Sequence, residues 1–340
     1  MTAIASILPP LLLSFALSVL LTPVVRRWAR RRSLDIPNER SSHQVPTPRS
    51  GGIAIVVAIV ATSAVFAEAR ALFWIAPMVA VIGMAILGLA DDLVRLPATI
   101  KLIVQVVLAG VVIAGAGGGA AQQGTVIVDV PYWLIATAML FWMVGVSNAF
   151  NFMDGIDGIA STEAILCSLV LAIFSIRNGD AGAAILALAV AGAAGGFLPW
   201  NFPRASIFLG DVGSGALGLL LALLVLRVWE GGTPFIAAAL PLLPFLCDTS
   251  ATLIRRIARG DRIFEAHRKH FYQLLTIAGW SHPSVTALWS ALAFVSSMAA
   301  LRYESLERSE RLLLLLALLA VHALVFRGIV RVHRRAARSA

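Results

Sequence analysis

The chain has 340 residues, of which 59% are hydrophobic and 13% charged, with a formal net charge of +9 and a mean hydropathy of +0.88. Soluble domains carry nearer 25% charge, so the composition excludes a water-soluble globular fold and reads as an integral membrane protein. Cys167 and Cys247 lie in separate apolar segments, which argues against a disulfide framework and against a cysteine-based metal site.

A spanning helix needs about 20 mostly apolar residues. Eleven segments qualify, at roughly 4–25, 52–68, 71–90, 99–117, 131–149, 160–177, 181–198, 212–229, 234–254, 284–302 and 312–330. Short connections at 69–70 and 178–180 leave ten as the alternative count. Segment 4–25 has no basic stretch before it and a basic cluster after it, so it reads as a span and not as a cleavable leader. The expected class is therefore an all-α polytopic membrane protein forming a single domain over residues 1–340.

The arginines orient the bundle. Placing loop 26–51 in the cytoplasm puts most of the 27 basic residues inside. They include Arg26 to Arg32, the cluster from Arg255 to Lys269, and the tail from Arg327 to Arg338. This positive-inside bias sets the N-terminus outside and the C-terminus in the cytoplasm. That needs an odd number of spans and favours eleven. The cytoplasmic loops are then about 26–51, 91–98, 150–159, 199–211 and 255–283, with a basic tail at 331–340. The positive charge reflects topology and contact with anionic membrane lipid. The basic clusters show no stacked aromatics to suggest nucleic-acid binding, and no nucleic-acid partner is expected.

Taken along the chain, the polar residues gather at the cytoplasmic ends of these segments. The stretch from Asp35 to Gly52 holds Arg40, His43 and Arg49 among turn formers. It is either a plain loop or a basic surface that meets a lipid phosphate. Asp91-Asp92 ends a segment running outside to inside, where unpaired helix carbonyls already make the end negative. A cation nearby would relieve both that clash and the mutual repulsion of the pair. Neighbouring helical residues point roughly 100° apart, so the two should have different jobs.

Asn148, Asn151, Asp154 and Asp157 fall three residues apart, with Gly155 and Gly158 after the two acids. They offer amide and carboxylate groups to a polar ligand, although Asp157 alone could be a helix N-cap. Phe208-Leu-Gly-Asp211-Val-Gly-Ser214 precedes another segment. A helix start attracts phosphate, and the acid beside it can hold Mg²⁺ while phosphate oxygens complete the octahedron. The other reading is an N-cap with small residues for close packing. Asp248, beyond Pro241 and Pro244, is either catalytic or structural. In the run His267-Arg268-Lys269-His270-Phe-Tyr-Gln273, the two histidines share a face if the segment is helical. With Arg268 they would form a diphosphate clamp.

These motifs, in this order, resemble the polyprenyl-phosphate N-acetylhexosamine-1-phosphate transferases, bacterial glycosyltransferase family 4, over residues 33–280. The resemblance implies transfer of a sugar-1-phosphate from a UDP-N-acetylhexosamine to undecaprenyl phosphate, with release of UMP. It implies Mg²⁺ as cofactor, with Mn²⁺ as a substitute. It makes Asp211 the direct metal ligand, with Asp91 or Asp92 at the lipid phosphate or the metal. Phe208 would stack on uracil. Asn151, Asp154 and Asp157 would line the nucleotide-sugar pocket, and His270 and Arg268 would hold the diphosphate.

Two departures bear on the branch. No third Asp follows Asp91-Asp92, where Leu93-Val94-Arg95 stands, and the late box lacks consecutive histidines. The chain is thus less similar to the MurNAc-pentapeptide branch than to the one that starts O-antigen, lipopolysaccharide or capsule chains at the bacterial inner membrane. The sugar would be an N-acetylated hexosamine or its 6-deoxy relative, and a homodimer is a compatible assembly. Positioning and charge neutralisation should dominate catalysis, with little for a general base to add. The rival reading is a secondary transporter using intramembrane carboxylates as an ion relay, which predicts acids at mid-depth and internal repeats. The acids here lie mostly at one interface, and no convincing repeat is evident.

Overall fold

The structure is a computed structural model, and it describes residues 2–37, 45–66, 71–115, 131–261 and 267–339. In chain order the longer helices are α1 Thr2–Arg32, α2 Gly52–Phe66, α3 Ala71–Val94, α4 Ala98–Gly115, α5 Tyr132–Met153, α6 Ile159–Arg177, α7 Ala181–Asn201 and α8 Gly210–Glu230. A short α9 Phe235–Ala239 runs through a 3-10 turn, Leu240–Leu242, into α10 Leu243–Ile257. α11 Phe271–Ile277, α12 His282–Tyr303 and α13 Arg308–Ser339 complete the chain. Two-residue strands β1 Leu34–Asp35 and β2 Thr47–Pro48 pair antiparallel between α1 and α2.

Among the described residues ten helices are long and apolar enough to cross a membrane. The segment expected at 52–68 forms α2, which is helical over all of its described residues, Gly52–Phe66. α2 buries Ile55, Ala58 and Ile59 completely and packs on α1, α7 and α8. The soft boundary at 178–180 is a real turn. Gly179 sits at φ 73°, and the Asp180 carboxylate caps α7 by accepting from Ala183 N–H at 3.0 Å. The break after Ala239 falls at Pro241, where proline removes a helical donor.

Small residues set the packing, because lipid gives helices no hydrophobic reason to associate. A Cβ on Gly88 of α3 would lie 2.3 Å from the Asp211 backbone, and one on Gly52 would lie 2.2 Å from Gly213. Both helices are thereby drawn against the first turn of α8. α8 is the axis of the bundle, with 89% of its apolar window buried, against 11% for α4 at the lipid-facing edge. The end of α3, the start of α8, the connection from β2 to α2, the turn after α5 and the segment leading into α11 all converge at one end of the bundle.

Candidate active site

The site is built on the turn that starts α8. Gly210 takes φ 74°, and a Cβ there would lie 2.4 Å from Asp92 Oδ2 and 2.7 Å from Ser50 N. Only glycine fits that turn. The Asp92 carboxylate accepts from Asp211 N–H at 3.2 Å and from the Ser50 hydroxyl at 2.7 Å. Arg49 Nε lies 3.3 Å from its Oδ1, and the Asp92 side chain is fully enclosed. The segment from the end of β2 to the start of α2 is tied to the same turn by a short ladder. Phe208 N–H donates to Pro48 O at 2.8 Å, Gly51 N–H to Phe208 O at 2.9 Å, and Gly52 N–H to Leu209 O at 2.8 Å. Ser50 holds the left-handed φ of 73°, a strained conformation for a non-glycine residue that its surroundings must enforce.

Asp91 points the other way. Its Oδ1 accepts from Leu96 N–H at 2.7 Å, and Lys101 Nζ donates to its Oδ2 at 2.9 Å. Lys101 also lies 3.5 Å from Asp211 Oδ2, and the Asp91 and Asp211 carboxyl groups contact each other. Two acids and one ammonium thus meet where α3, α4 and α8 come together. Adjacent residues diverge in role, as the helical geometry requires.

The asparagine–aspartate run ends α5 and makes the turn into α6. Asn148 Nδ2 donates to Gln105 Oε1 at 2.7 Å, and Asn151 Nδ2 to Ser214 Oγ at 2.9 Å. Asp154 follows the last helical turn, and no hydrogen bond engages its carboxylate among the described residues. Burial, then the nearby Asp211 and Asp92 charges, push that carboxyl well above the usual range. Asp157 Oδ2 accepts from Ala205 N–H at 3.2 Å and lies 3.3 Å from His282 Nδ1. It does not cap α6, where Gly158 occupies the cap position at φ 79°. Asn201 closes this turn, accepting from Gly158 N–H at 2.9 Å and donating to Ile207 O at 3.1 Å.

The late box is arranged by Asp248. This wholly buried carboxylate accepts from Phe271 N–H at 3.0 Å, Tyr272 N–H at 3.1 Å and the Thr252 hydroxyl at 3.2 Å. His270 Nδ1 lies 3.1 Å from its Oδ1. Hydrogen bonds to a charged group contribute roughly 1.5–3 kcal/mol each, so Asp248 fixes the start of α11. It borders neither of the two cavities and acts on the site through His270 and the start of α11. Residues 267–269 are not helical, yet the His267 and His270 rings still stack, with centroids 5.1 Å apart. Tyr272 is buried and its hydroxyl donates to Phe152 O at 3.0 Å, bracing the turn after α5.

Two cavities meet at these residues. One of about 370 Å³ is lined by Arg49, Arg95, Asn151, Asp154, Asp157, Asn201, Phe208, Arg268 and Thr276. A second of about 590 Å³ is lined by Met84, Leu87, Leu102, Gln105, Asn148, Phe152, Leu253, Arg256, His267 and His270. The first is polar and the second largely apolar. Asp91, Asn151, Asp211 and Gln273 border both.

This geometry redistributes the sequence candidates. Asn151, Asp154, Asp157, Phe208 and Arg268 lie on the polar cavity, whereas Asn148, His267 and His270 lie on the apolar one. The expected diphosphate clamp is therefore split, with Arg268 on one side and the histidines on the other. Asp92 borders neither cavity, and its oxygens are taken by Ser50, Arg49 and the Asp211 amide. Through these contacts it braces the Asp211 turn. Arg40 and His43 lie outside the described residues.

Lys101, Ser50, Gln105, Gln273 and Arg256 were not singled out by sequence reasoning. Lys101 had a signal, being a lysine at the start of an otherwise apolar segment. Gln273 hydrogen-bonds the His270 amide through Oε1 at 3.2 Å. Arg95 sits at φ 54° and borders the polar cavity from the bend after α3.

Among the described residues no group of three or more His, Cys, Asp and Glu side chains forms a metal cage. A Mg²⁺ ion does not require one. It binds through one or two carboxylates, with water and substrate phosphates completing the shell. The touching carboxyls of Asp91 and Asp211, open to both cavities, fit that donor set.

An all-helical polytopic bundle, with two cavities of opposite character around one carboxylate pair, defines a membrane-embedded enzyme. Residues 74–228 match the model of glycosyl transferase family 4. The chain is 28% identical over 302 residues to a probable undecaprenyl-phosphate N-acetylglucosaminyl 1-phosphate transferase of Bacillus subtilis, covering 84% of this chain and 82% of that one. It is 30% identical over 295 residues to a decaprenyl-phosphate N-acetylglucosaminephosphotransferase of Mycobacterium leprae, covering 76% and 74%. It is 32% identical over 319 residues to a phospho-N-acetylmuramoyl-pentapeptide-transferase of Bacillus licheniformis, covering 84% and 94%. The chain belongs to glycosyl transferase family 4. Relatives from both branches are similar to it to nearly the same degree, so identity does not choose between them.

Proposed function

We propose that the protein transfers an N-acetylhexosamine-1-phosphate from a UDP-sugar to undecaprenyl phosphate, releasing UMP and starting a lipid-linked cell-surface glycan. The observation that carries this reading is the junction of the two cavities at Asp91, Asn151, Asp211 and Gln273. A polar chamber suits a nucleotide sugar. An apolar one suits a polyprenyl chain, and phosphoryl transfer requires the two phosphates to meet in line.

In the polar cavity Phe208 offers a ring face to uracil, and Arg268 and Arg49 offer guanidinium forks to the diphosphate. Asn151 and Asp157 offer hydrogen bonds to the sugar and ribose. Asp91 and Asp211 would hold Mg²⁺, which when bound supplies charge neutralisation for the diphosphate. Lys101 supports the same carboxylates from the acceptor side. Asp92, Ser50 and Arg49 keep the Asp211 turn in place. The bond broken joins the α- and β-phosphates, so the sugar–phosphate bond is retained.

The late box without consecutive histidines supports an O-antigen or capsule-type sugar over MurNAc-pentapeptide. The arginine asymmetry supports a site on the cytoplasmic face of the inner membrane. A single cysteine at Ser281 should then resist impermeant reagents in intact cells, while one at Ser305 reacts. The reading is tested by incubating purified protein with undecaprenyl phosphate, Mg²⁺ and a panel of UDP-N-acetyl sugars. UMP should appear with at least one sugar and disappear in EDTA. UDP as the product, or undiminished turnover in EDTA, would contradict it.

A further inference from the structure

His267 and His270 stack, but their hydrogen bonds force opposite tautomers. Asp248 Oδ1 lies 3.1 Å from His270 Nδ1, and the same carboxylate already accepts from two amides and a hydroxyl. An ionised carboxylate only accepts, so His270 Nδ1 carries the hydrogen. In neutral His270, Nε2 is then a bare lone pair. No hydrogen bond engages that atom among the described residues, and the ring borders the apolar cavity. His267 is the reverse. Its Nδ1 accepts from Lys269 N–H at 3.3 Å, which leaves Nε2 as an N–H donor. Burial, with His270 and the neighbouring cations, pushes the His267 imidazole down to about 4, so it stays neutral. The acceptor cavity therefore presents a lone pair and an N–H side by side.

That pairing matches a phosphate monoester that still holds one proton. Its P–OH can donate to His270 Nε2 while a charged oxygen accepts from His267 Nε2–H. Sequence alone gave a general base little to do, since such a group loses its second proton near pH 6 in water. An apolar cavity disfavours the dianion and delays that loss, which restores a need for a base.

Resting on the transferase reading above, we propose that His270 is the general base that takes the proton from the polyprenyl phosphate acceptor, with Asp248 as its positioning residue and His267 as the donor that orients the phosphate. The proton moves from the acceptor oxygen to Nε2, giving an imidazolium held by Asp248. The freed oxygen forms the new bond to the β-phosphorus. The bond from that phosphorus to the bridging oxygen breaks, its electron pair leaving with UMP. The imidazolium then returns its proton to the UMP phosphate. Against His270 lie Asp248 of α10 and the stacked His267 ring, and Arg256 of α10 lines the same cavity. Tyr272 belongs to its own helix. Asp91, Asp211 and Lys101 lie across the cavity.

The test uses the full-length enzyme with ¹⁵N-labelled histidine. At neutral pH the ligand-free spectrum should show His270 protonated on Nδ1 alone and His267 on Nε2 alone. Farnesyl phosphate should add a second proton to His270 and none to His267. In the transfer assay His270→Gln should lower kcat by about 10²–10⁴ with the KM for UDP-sugar unchanged. Undecaprenyl phosphorothioate, whose second proton is more acidic, should recover part of that loss. Asp248→Asn, where it folds, should shift His270 toward the Nε2–H tautomer and lower kcat in step.

His270 with its proton on Nε2, or unchanged by farnesyl phosphate in an active enzyme, overturns the proposal alone. So does a His270→Gln loss that the phosphorothioate cannot reduce. A wild-type enzyme that releases no UMP overturns the transferase reading, and this proposal with it.

Discussion

α8 carries charge at both ends, and the two ends have been put to opposite uses. At its C-terminal end Arg227 donates to Asp180 at 2.7 Å and to Glu230 at 2.8 Å. A cation there also suits the helix dipole. Asn178 and Thr233 complete the join to the turn between α6 and α7 through Val228 O and the Asn178 amide. The cavity beside this cluster is about 20 Å³, too small for any substrate. At the N-terminal end Asp211 likewise suits the dipole, but Asp91, Asp92 and Asp154 crowd it, and cavities of about 370 and 590 Å³ open on it. An intramembrane charge is expensive in either setting. What separates a staple from a site is surplus like charge combined with open volume.

The largest expected effect comes from the crowded end. Asp211→Asn should lower kcat by at least about 10³, because it removes the carboxylate shared by both cavities. A variant with near-normal turnover would remove the distinction between the two ends.

A smaller and two-sided effect is expected at Asp154. Its carboxyl is raised, so the folded protein holds this proton to higher pH than the unfolded chain does. Stability is therefore lost as pH rises from the ordinary carboxylate range through the raised value. Asp154→Asn should remove that cost, raise the melting temperature near neutral pH and flatten its dependence on pH above the ordinary carboxylate range. It should lower kcat by about 10–10² as the polar cavity loses an ionisable group. Thermal melts across pH, paired with transfer assays, read both signs. A lower melting temperature for the variant would show that the carboxylate is satisfied in a way the geometry does not contain.

The smallest catalytic effect belongs to the other end. Arg227→Gln should leave kcat within about twofold and lower the melting temperature by on the order of 5 °C, since it strands two partly buried acids. A large loss of turnover without a change in melting temperature would couple the two ends and spoil the contrast.

The helices were legible because apolar runs of spanning length need no partner to be recognised. The acids were legible as a set because each is out of place in an apolar chain. Their division of labour was not. Asp92 is turned inward by Ser50 and Arg49, residues more than forty positions earlier, and by the amide of Asp211, far later in the chain. The same holds for Asp248, whose partners at His270 to Tyr272 begin twenty-two residues on. α11 was hidden in a loop because seven residues carry too little periodicity to register. Lys101 had been absorbed into the count of basic residues, since its meaning comes only from touching both Asp91 and Asp211.

The central claim is that a diphosphate bond is exchanged and the sugar–phosphate bond is kept. Phosphoanhydride replaces phosphoanhydride, so the equilibrium should lie near one. Adding radiolabelled UMP to enzyme, lipid product and unlabelled UDP-sugar should therefore move label into the UDP-sugar pool, and Arg268→Ala should slow that exchange strongly. Absence of label in UDP-sugar, with UDP accumulating as the nucleotide product of the forward reaction, would show that the C1–O bond breaks and would contradict the account.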